Sequence, residues 1–163
     1  MNLRRDTPYW LLVAGCLAWL GVVFYTAFAR GNGLSGGDLL FSCFRPLCHQ
    51  IPERSFHAFG SVLPVCHRCV GLYIGFTAGL LTFPYLTGLR GILLRTPRWV
   101  LVFFAPMAID VFLLPNTYLS RFLTGFVAGF PVALFLWAAA AQLTQRSTLS
   151  IPGGKSYDER FTG

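Results

Sequence analysis

The sequence predicts an all-α fold: an integral membrane bundle of four transmembrane helices with one long Cys/His-rich extracytoplasmic loop. Three observations carry this. Hydrophobic residues make up 55% of the 163-residue chain and charged ones 12%, against roughly a quarter charged in an ordinary soluble domain. A helix needs about 20 apolar residues to cross the hydrocarbon core, and four stretches, 9–29, 70–89, 98–114 and 122–143, approach that length with few or no charges inside. Between the first two lies the one long connection, 30–69, which holds four of the five cysteines and all three histidines.

The first stretch, 9–29, is too long for a secretory signal core, and no small-residue cleavage site follows it, so it reads as a helix. The loop begins with "RGNGLSGGD", a glycine-rich and flexible exit, and continues with "LLFSCF", short and apolar enough to dip into the membrane interface. The second helix carries Gly71, Gly75 and Gly79, and the fourth carries Gly125 and Gly129. Residues four apart share a helix face, and a face without side chains lets a neighbouring backbone approach closely. These faces suit tight packing inside the bundle or, where free, contact with a second copy of the chain. The third helix contains one carboxylate, Asp110, and ends at a tight connection led by Pro115 and Asn116. Residues 1–145 form a single transmembrane domain. The polar segment 146–163 reads as a disordered cytoplasmic tail.

The formal net charge of +7 comes from basic residues scattered at helix ends. Such scatter excludes a nucleic-acid surface, which needs them clustered. It fits a topology instead. With a cytoplasmic amino terminus, eight basic residues lie inside (Arg4, Arg5, Arg90, Arg95, Arg98, Arg146, Lys155 and Arg160) and five outside (Arg30, Arg45, Arg54, Arg68 and Arg121). The positive-inside rule then places both termini in the cytoplasm of a multi-pass protein of the cell membrane, with the lipid bilayer as its partner. The cysteine loop faces the side where disulfides persist.

Cys66 and Cys69 form a CxxC pair, with Cys48 and Cys43 upstream. The spacing suits a zinc knuckle and a redox pair equally. For metal, Cys48, Cys66 and Cys69 supply three of the four sulfur or nitrogen ligands of a tetrahedral site, with His49, His67 or Cys43 available as the fourth. Nearby Arg45, Arg54 and Arg68 favour ionised thiols. Thiolates select zinc or copper(I) over magnesium and calcium. For redox, a CxxC at the outer start of a membrane helix suits a thiol-disulfide oxidoreductase that passes electrons from Cys66 and Cys69 to a quinone. In helix number and in where its CxxC sits, the bundle resembles the disulfide bond formation protein B and vitamin K epoxide reductase class. It departs from the former in having no cysteine between the third and fourth helices. Cys16, at mid-membrane, reads as a packing residue.

A lone carboxylate in a membrane span is costly and marks a functional candidate. Asp110 falls in the outer third of the third helix, level with Arg121 at the start of the fourth, and the two are expected to pair. Together with Tyr73 and Arg54 they are candidate catalytic residues of a polar pocket beneath the cysteines. In a third reading, a non-enzymatic carrier or accessory subunit, Asp110 and Arg121 would guard a translocation path.

The segments "CHQIPERSF", "CHRCVGLYIG" and "PMAID", followed by "SRFLTGFVAG", resemble a family of prokaryotic membrane proteins known as domain of unknown function 2085. The resemblance spans roughly residues 40–129. Its pattern carries onto Cys48, His49, Gln50, Arg54, Ser55, Phe56, Cys66, Arg68, Cys69, Gly71, Tyr73, Asp110, Arg121, Thr124 and Gly125, and not onto Cys43 or His67. It departs at Val111, where the family has glycine. The resemblance implies an architecture and a site, with Cys48, His49, Cys66 and Cys69 as the functional set, and no reaction.

Overall fold

The computed structural model describes residues 3–86, 102–112 and 117–149. It is mostly helical. Helix α1 spans Leu3–Gly31 and a short α2 spans Gly37–Cys43. A 3-10 turn, Pro52–Arg54, leads into a hairpin of β1 (Ser55–Ala58) and β2 (Ser61–Cys66). Helix α3 is His67–Thr82, α4 is Ala105–Phe112 and α5 is Tyr118–Leu149.

Among the described residues, two helical segments are long and apolar enough to cross a membrane: Thr7–Gly31 of 25 residues and Tyr118–Ala140 of 23. They correspond to the expected first and fourth helices. The second, expected at 70–89, starts earlier and ends as a helix at Thr82, where a 3-10 turn, Phe83–Tyr85, takes over. Pro84 inside that turn has no N–H to continue the α ladder. Residues 87–89 of that stretch lie outside the described residues, as do 98–101 and 113–114 of the third. So do the Pro115–Asn116 connection and the tail from residue 150. What is described of the third stretch is helical over Ala105–Phe112, with Pro106 in its first turn, where a missing N–H costs nothing.

The fold is not purely helical. The loop 30–69 contains the β1–β2 hairpin, paired antiparallel with Ser55 opposite Cys66, His57 opposite Val62 and Ala58 opposite Ser61. Its turn residues Phe59 and Gly60 have φ of 55° and 76°, positive at both central positions as the right-handed twist of a hairpin demands. The register shifts between Ser55 and His57, so β2 bulges where Pro64 sits, a place where a strand tolerates a residue without a donor. The hairpin tip lies against the end of α1: Phe59 packs edge-on to Phe28 with ring centroids 5.7 Å apart. A side chain at Gly31 would meet the Phe59 carbonyl.

Helices α3 and α5 pack through their glycines. Gly71, Gly75 and Gly79 lie under the backbone of Phe122, Phe126 and Phe130, while Gly125 and Gly129 lie under that of Arg68 and Leu72. Both series ascend together, so the two helices run parallel, and the small-residue faces are spent on one another inside the chain. Helix α1 runs antiparallel to α3. Its Tyr9 hydroxyl donates to the Leu80 carbonyl at 2.6 Å, and Trp19, ten residues on, packs edge-on to Tyr73.

Candidate metal centre

Three elements bring the thiols together. The turn after α2 carries Cys48, β2 ends at Cys66, and the first turn of α3 carries Cys69. Cys66 precedes the first residue of α3 with extended backbone (φ −75°, ψ 166°), so its side chain and that of Cys69 fall on one side of the helix start. Cys48 reaches them because Gln50 ties its turn down. The Gln50 amide donates to the Phe41 carbonyl of α2 at 2.6 Å and to the Pro64 carbonyl in the β2 bulge at 3.3 Å. This holds even though Gln50 sits at φ 51°, a left-handed conformation uncommon outside glycine. Around the sulfurs, Val23 and Ala27 of α1 with Phe44, Leu63, Val65 and Val70 form a buried apolar cluster.

The sulfur of Cys66 lies 3.6 Å from that of Cys69, which lies 3.9 Å from that of Cys48. All three sulfurs are within 4.8 Å of one another. The backbone N–H of Cys66 donates to the Cys48 sulfur at 3.2 Å. With zinc–sulfur bonds near 2.3 Å, the edge of a tetrahedron is about 3.8 Å, so this group can hold a metal ion. Hydrogen bonding from Cys69 lowers the Cys66 thiol to about 4 and raises Cys69 from the ordinary thiol range. One negative charge is shared, with Cys66 as the thiolate. Alkylation of the metal-free protein should therefore proceed at Cys66 down to about pH 5, while Cys69 stays protected above pH 9. Mass-spectrometric mapping of iodoacetamide adducts against pH checks this, and equal rates at the two thiols would refute it.

The remaining expected ligands do not join them. His49 is exposed and its Nδ1 accepts the Ile51 N–H at 3.1 Å, so the ring is turned onto its own backbone, and it is not part of the sulfur group. Cys43 is exposed and also outside it. His67 is buried, 6% exposed, and packs edge-on to Phe56 at 4.2 Å between centroids, with its Nδ1 unpartnered. Burial lowers its pKa, against a bond to the Arg54 carbonyl that raises it.

The expected pairing of Asp110 with Arg121 is corrected. Asp110 is 0% exposed, and its Oδ2 accepts from Arg68, the residue between the two cysteines of CxRC, at 2.8 Å. Helix α3 turns Arg68 toward α4 while it turns Cys66 and Cys69 toward Cys48. Arg121, half-buried in the first turn of α5, acts on the same carboxylate from farther away. The other oxygen, Oδ1, is buried without a close hydrogen-bond partner, while Ser120, whose hydroxyl donates to the Thr117 carbonyl at 3.1 Å, also supports the carboxylate. Tyr73 is half-buried one turn below Cys69, against the cluster that surrounds the sulfurs. Arg54 points its side chain to the exterior and contributes only its carbonyl. Sequence reasoning missed Arg68 as the partner of Asp110 and Gln50 as the tie, although both stand in the motifs it quoted.

Among the described residues, the features that stand out are two apolar helices long enough to span a membrane and a largely buried group of three thiols that could hold a metal ion. A family model described as a predicted membrane protein (DUF2085) matches residues 48–135, which include all three thiols and Asp110. The chain belongs to that family. Over 102 residues it is 33% identical to an uncharacterised protein of Methanocaldococcus jannaschii, covering 60% of this chain and 65% of that one. Over 98 residues it is 37% identical to an uncharacterised protein of Methanothermobacter thermautotrophicus, covering 56% and 85%. The chain thus spans just under two thirds of the length of the first of these relatives. No solved structure matches.

Proposed function

We propose that this is a multi-pass membrane protein whose extracytoplasmic head binds one zinc ion through Cys48, Cys66 and Cys69, leaving the fourth coordination position for an exogenous ligand. The observation that carries the reading is the sulfur spacing of 3.6 and 3.9 Å, which fits tetrahedral zinc and is far beyond the 2.05 Å of a disulfide. Three protein ligands with a fourth position open is the pattern of sites that act on a bound water or substrate. Beneath the site, Arg68 joins the helix that carries Cys69 to Asp110 of α4, and Arg121 adds a second positive charge beside the same carboxylate.

The parallel run of α3 and α5 supports four crossings, since the chain must return from the end of α3 to the start of α5 on the opposite side. With the thiols outside, both termini fall in the cytoplasm. The quinone-coupled oxidoreductase is retained as a second reading because Cys66 is a thiolate with the Cys69 sulfur at 3.6 Å, an attacking thiol beside a resolving one.

Metal content by mass spectrometry, measured with a free-thiol count on protein purified without chelator or reductant, separates the two. One zinc per chain, lost in Cys66→Ser, is expected. No metal, with Cys66 and Cys69 recovered as a disulfide, would overturn the zinc reading in favour of the redox one.

A further inference from the structure

We propose that the ligand for the open metal position is a single-chain amphiphile drawn from the bilayer, with its apolar chain lying in a groove between α1 and α3 and its polar head reaching Tyr73 and the metal. This rests on the zinc reading above and names the class of molecule the site takes.

The groove has a volume of about 390 Å³, within the range of small-molecule sites, roughly 300–1,000 Å³. Leu12, Gly15, Cys16 and Trp19 form its α1 wall, and Tyr73 and Phe76 belong to the α3 wall. Nearly all of this surface is apolar, and it lies within the stretch of α1 long enough to span a bilayer, so a chain enters from lipid without crossing water. Cys16 packs against the Tyr9, Val13 and Leu80 cluster, as expected of a space-filling residue, and also borders this opening. Gly15 contributes to the opening, since a Cβ there would meet nothing within 4 Å.

Tyr73 links the groove to the thiol centre. Cys66, Cys69, Tyr73 and Phe76 recur at intervals of three and four along the start of α3, which places them on one helix face. The sulfurs cap this face and the groove occupies its lower part. Tyr73 is the wall common to both. It lies in the groove and packs against the cluster around Cys48 and Cys66. Its hydroxyl bonds to the Trp19 side chain across the groove; an indole only donates, so the Tyr73 proton is left for a carboxylate or similar oxygen head. Such a head also suits a metal that accepts oxygen as a fourth ligand. A long-chain carboxylate meets all of these features: an apolar chain for the groove, an acceptor for Tyr73 and an oxygen ligand for the metal.

The test uses full-length protein in phosphatidylcholine nanodiscs with cobalt(II) in place of zinc, titrated separately with acetate and decanoate. The visible bands of thiolate-bound cobalt report the fourth ligand. Decanoate is expected to shift them at a concentration at least about tenfold lower in the wild type than in Gly15→Phe, which fills the groove, given the large gain from burying each methylene. Acetate should act equally on both. Because decanoate also concentrates in the bilayer, the comparison between the two proteins decides, and intact thiolate bands in Gly15→Phe show that its metal centre has folded. A second variant, Leu12→Trp, repeats the comparison if Gly15→Phe loses those bands. Equal decanoate sensitivity in wild type and variants overturns the groove while leaving the metal centre standing. Absence of thiolate–cobalt bands in the wild type overturns the metal reading, and the amphiphile's coordinating role with it.

Discussion

Arg68→Leu is expected to destabilise the protein by about 3–5 kcal/mol, the cost of leaving a buried charge without its partner. The asymmetry of the pair makes the prediction specific. The Asp110 side chain is 0% exposed and that of Arg68 is 23% exposed. Removing the arginine strands a carboxylate that already has one buried oxygen unpaired. Asp110→Leu leaves a guanidinium on a long flexible stem that can turn toward water, so its cost should be smaller by at least about 1 kcal/mol. The double variant Arg68→Leu/Asp110→Leu removes both charges and should recover most of the loss, as buried pairs replaced by apolar residues often do. Thermal midpoints of the three variants in one detergent measure this as a double-mutant cycle. If Arg68→Leu proves no worse than Asp110→Leu, the pair is not the anchor between α3 and α4 described above.

Much of this arrangement is legible in the sequence, for reasons that differ by residue. The first and fourth helices announce themselves through uninterrupted apolar length, and the glycines of α3 and α5 through their spacing of four. The three thiols could be grouped because CxxC before a helix is a local feature and Cys48 precedes it within one loop. The hairpin was hidden because "SFHAFGSVLPVC" lacks clean alternation, holds a proline at its bulge and turns at Phe59–Gly60, where phenylalanine is an unusual left-handed residue. The Arg68–Asp110 pair was hidden for a different reason. Level in the membrane suggested Arg121, which shares a short connection with Asp110, but choosing between two arginines requires the rotation of α3 about its axis. That rotation is fixed by the Gly71, Gly75 and Gly79 contact with α5, a tertiary fact. His49 stands outside the sulfur group for a similarly small-scale reason: a contact two residues away along the chain, from the Ile51 N–H, holds its Nδ1.

The contrast between Cys48 and His49 is the second large effect. Structural zinc sites release about 10–16 kcal/mol over four ligands, so one thiolate is worth roughly a hundredfold or more in affinity. Cys48→Ala should therefore weaken zinc binding at least about a hundredfold in competition with a chromogenic chelator. It also removes the sulfur that accepts the Cys66 N–H at 3.2 Å, so the loss should be accompanied by a lower thermal midpoint. His49→Ala removes an exposed ring bonded only to its own turn and should change affinity by less than about threefold, since such a contact contributes about 1 kcal/mol or less. The same titration run between pH 5 and 8 gives an independent reading. Because Cys66 is a thiolate down to about 4, metal binding need not displace a proton there over this range, whereas Cys69, whose thiol is pushed up, should release one on zinc uptake. If His49→Ala cost as much as Cys48→Ala, the imidazole would swing from Ile51 to the metal on binding, and the fourth position would belong to the protein and not to a ligand from the bilayer.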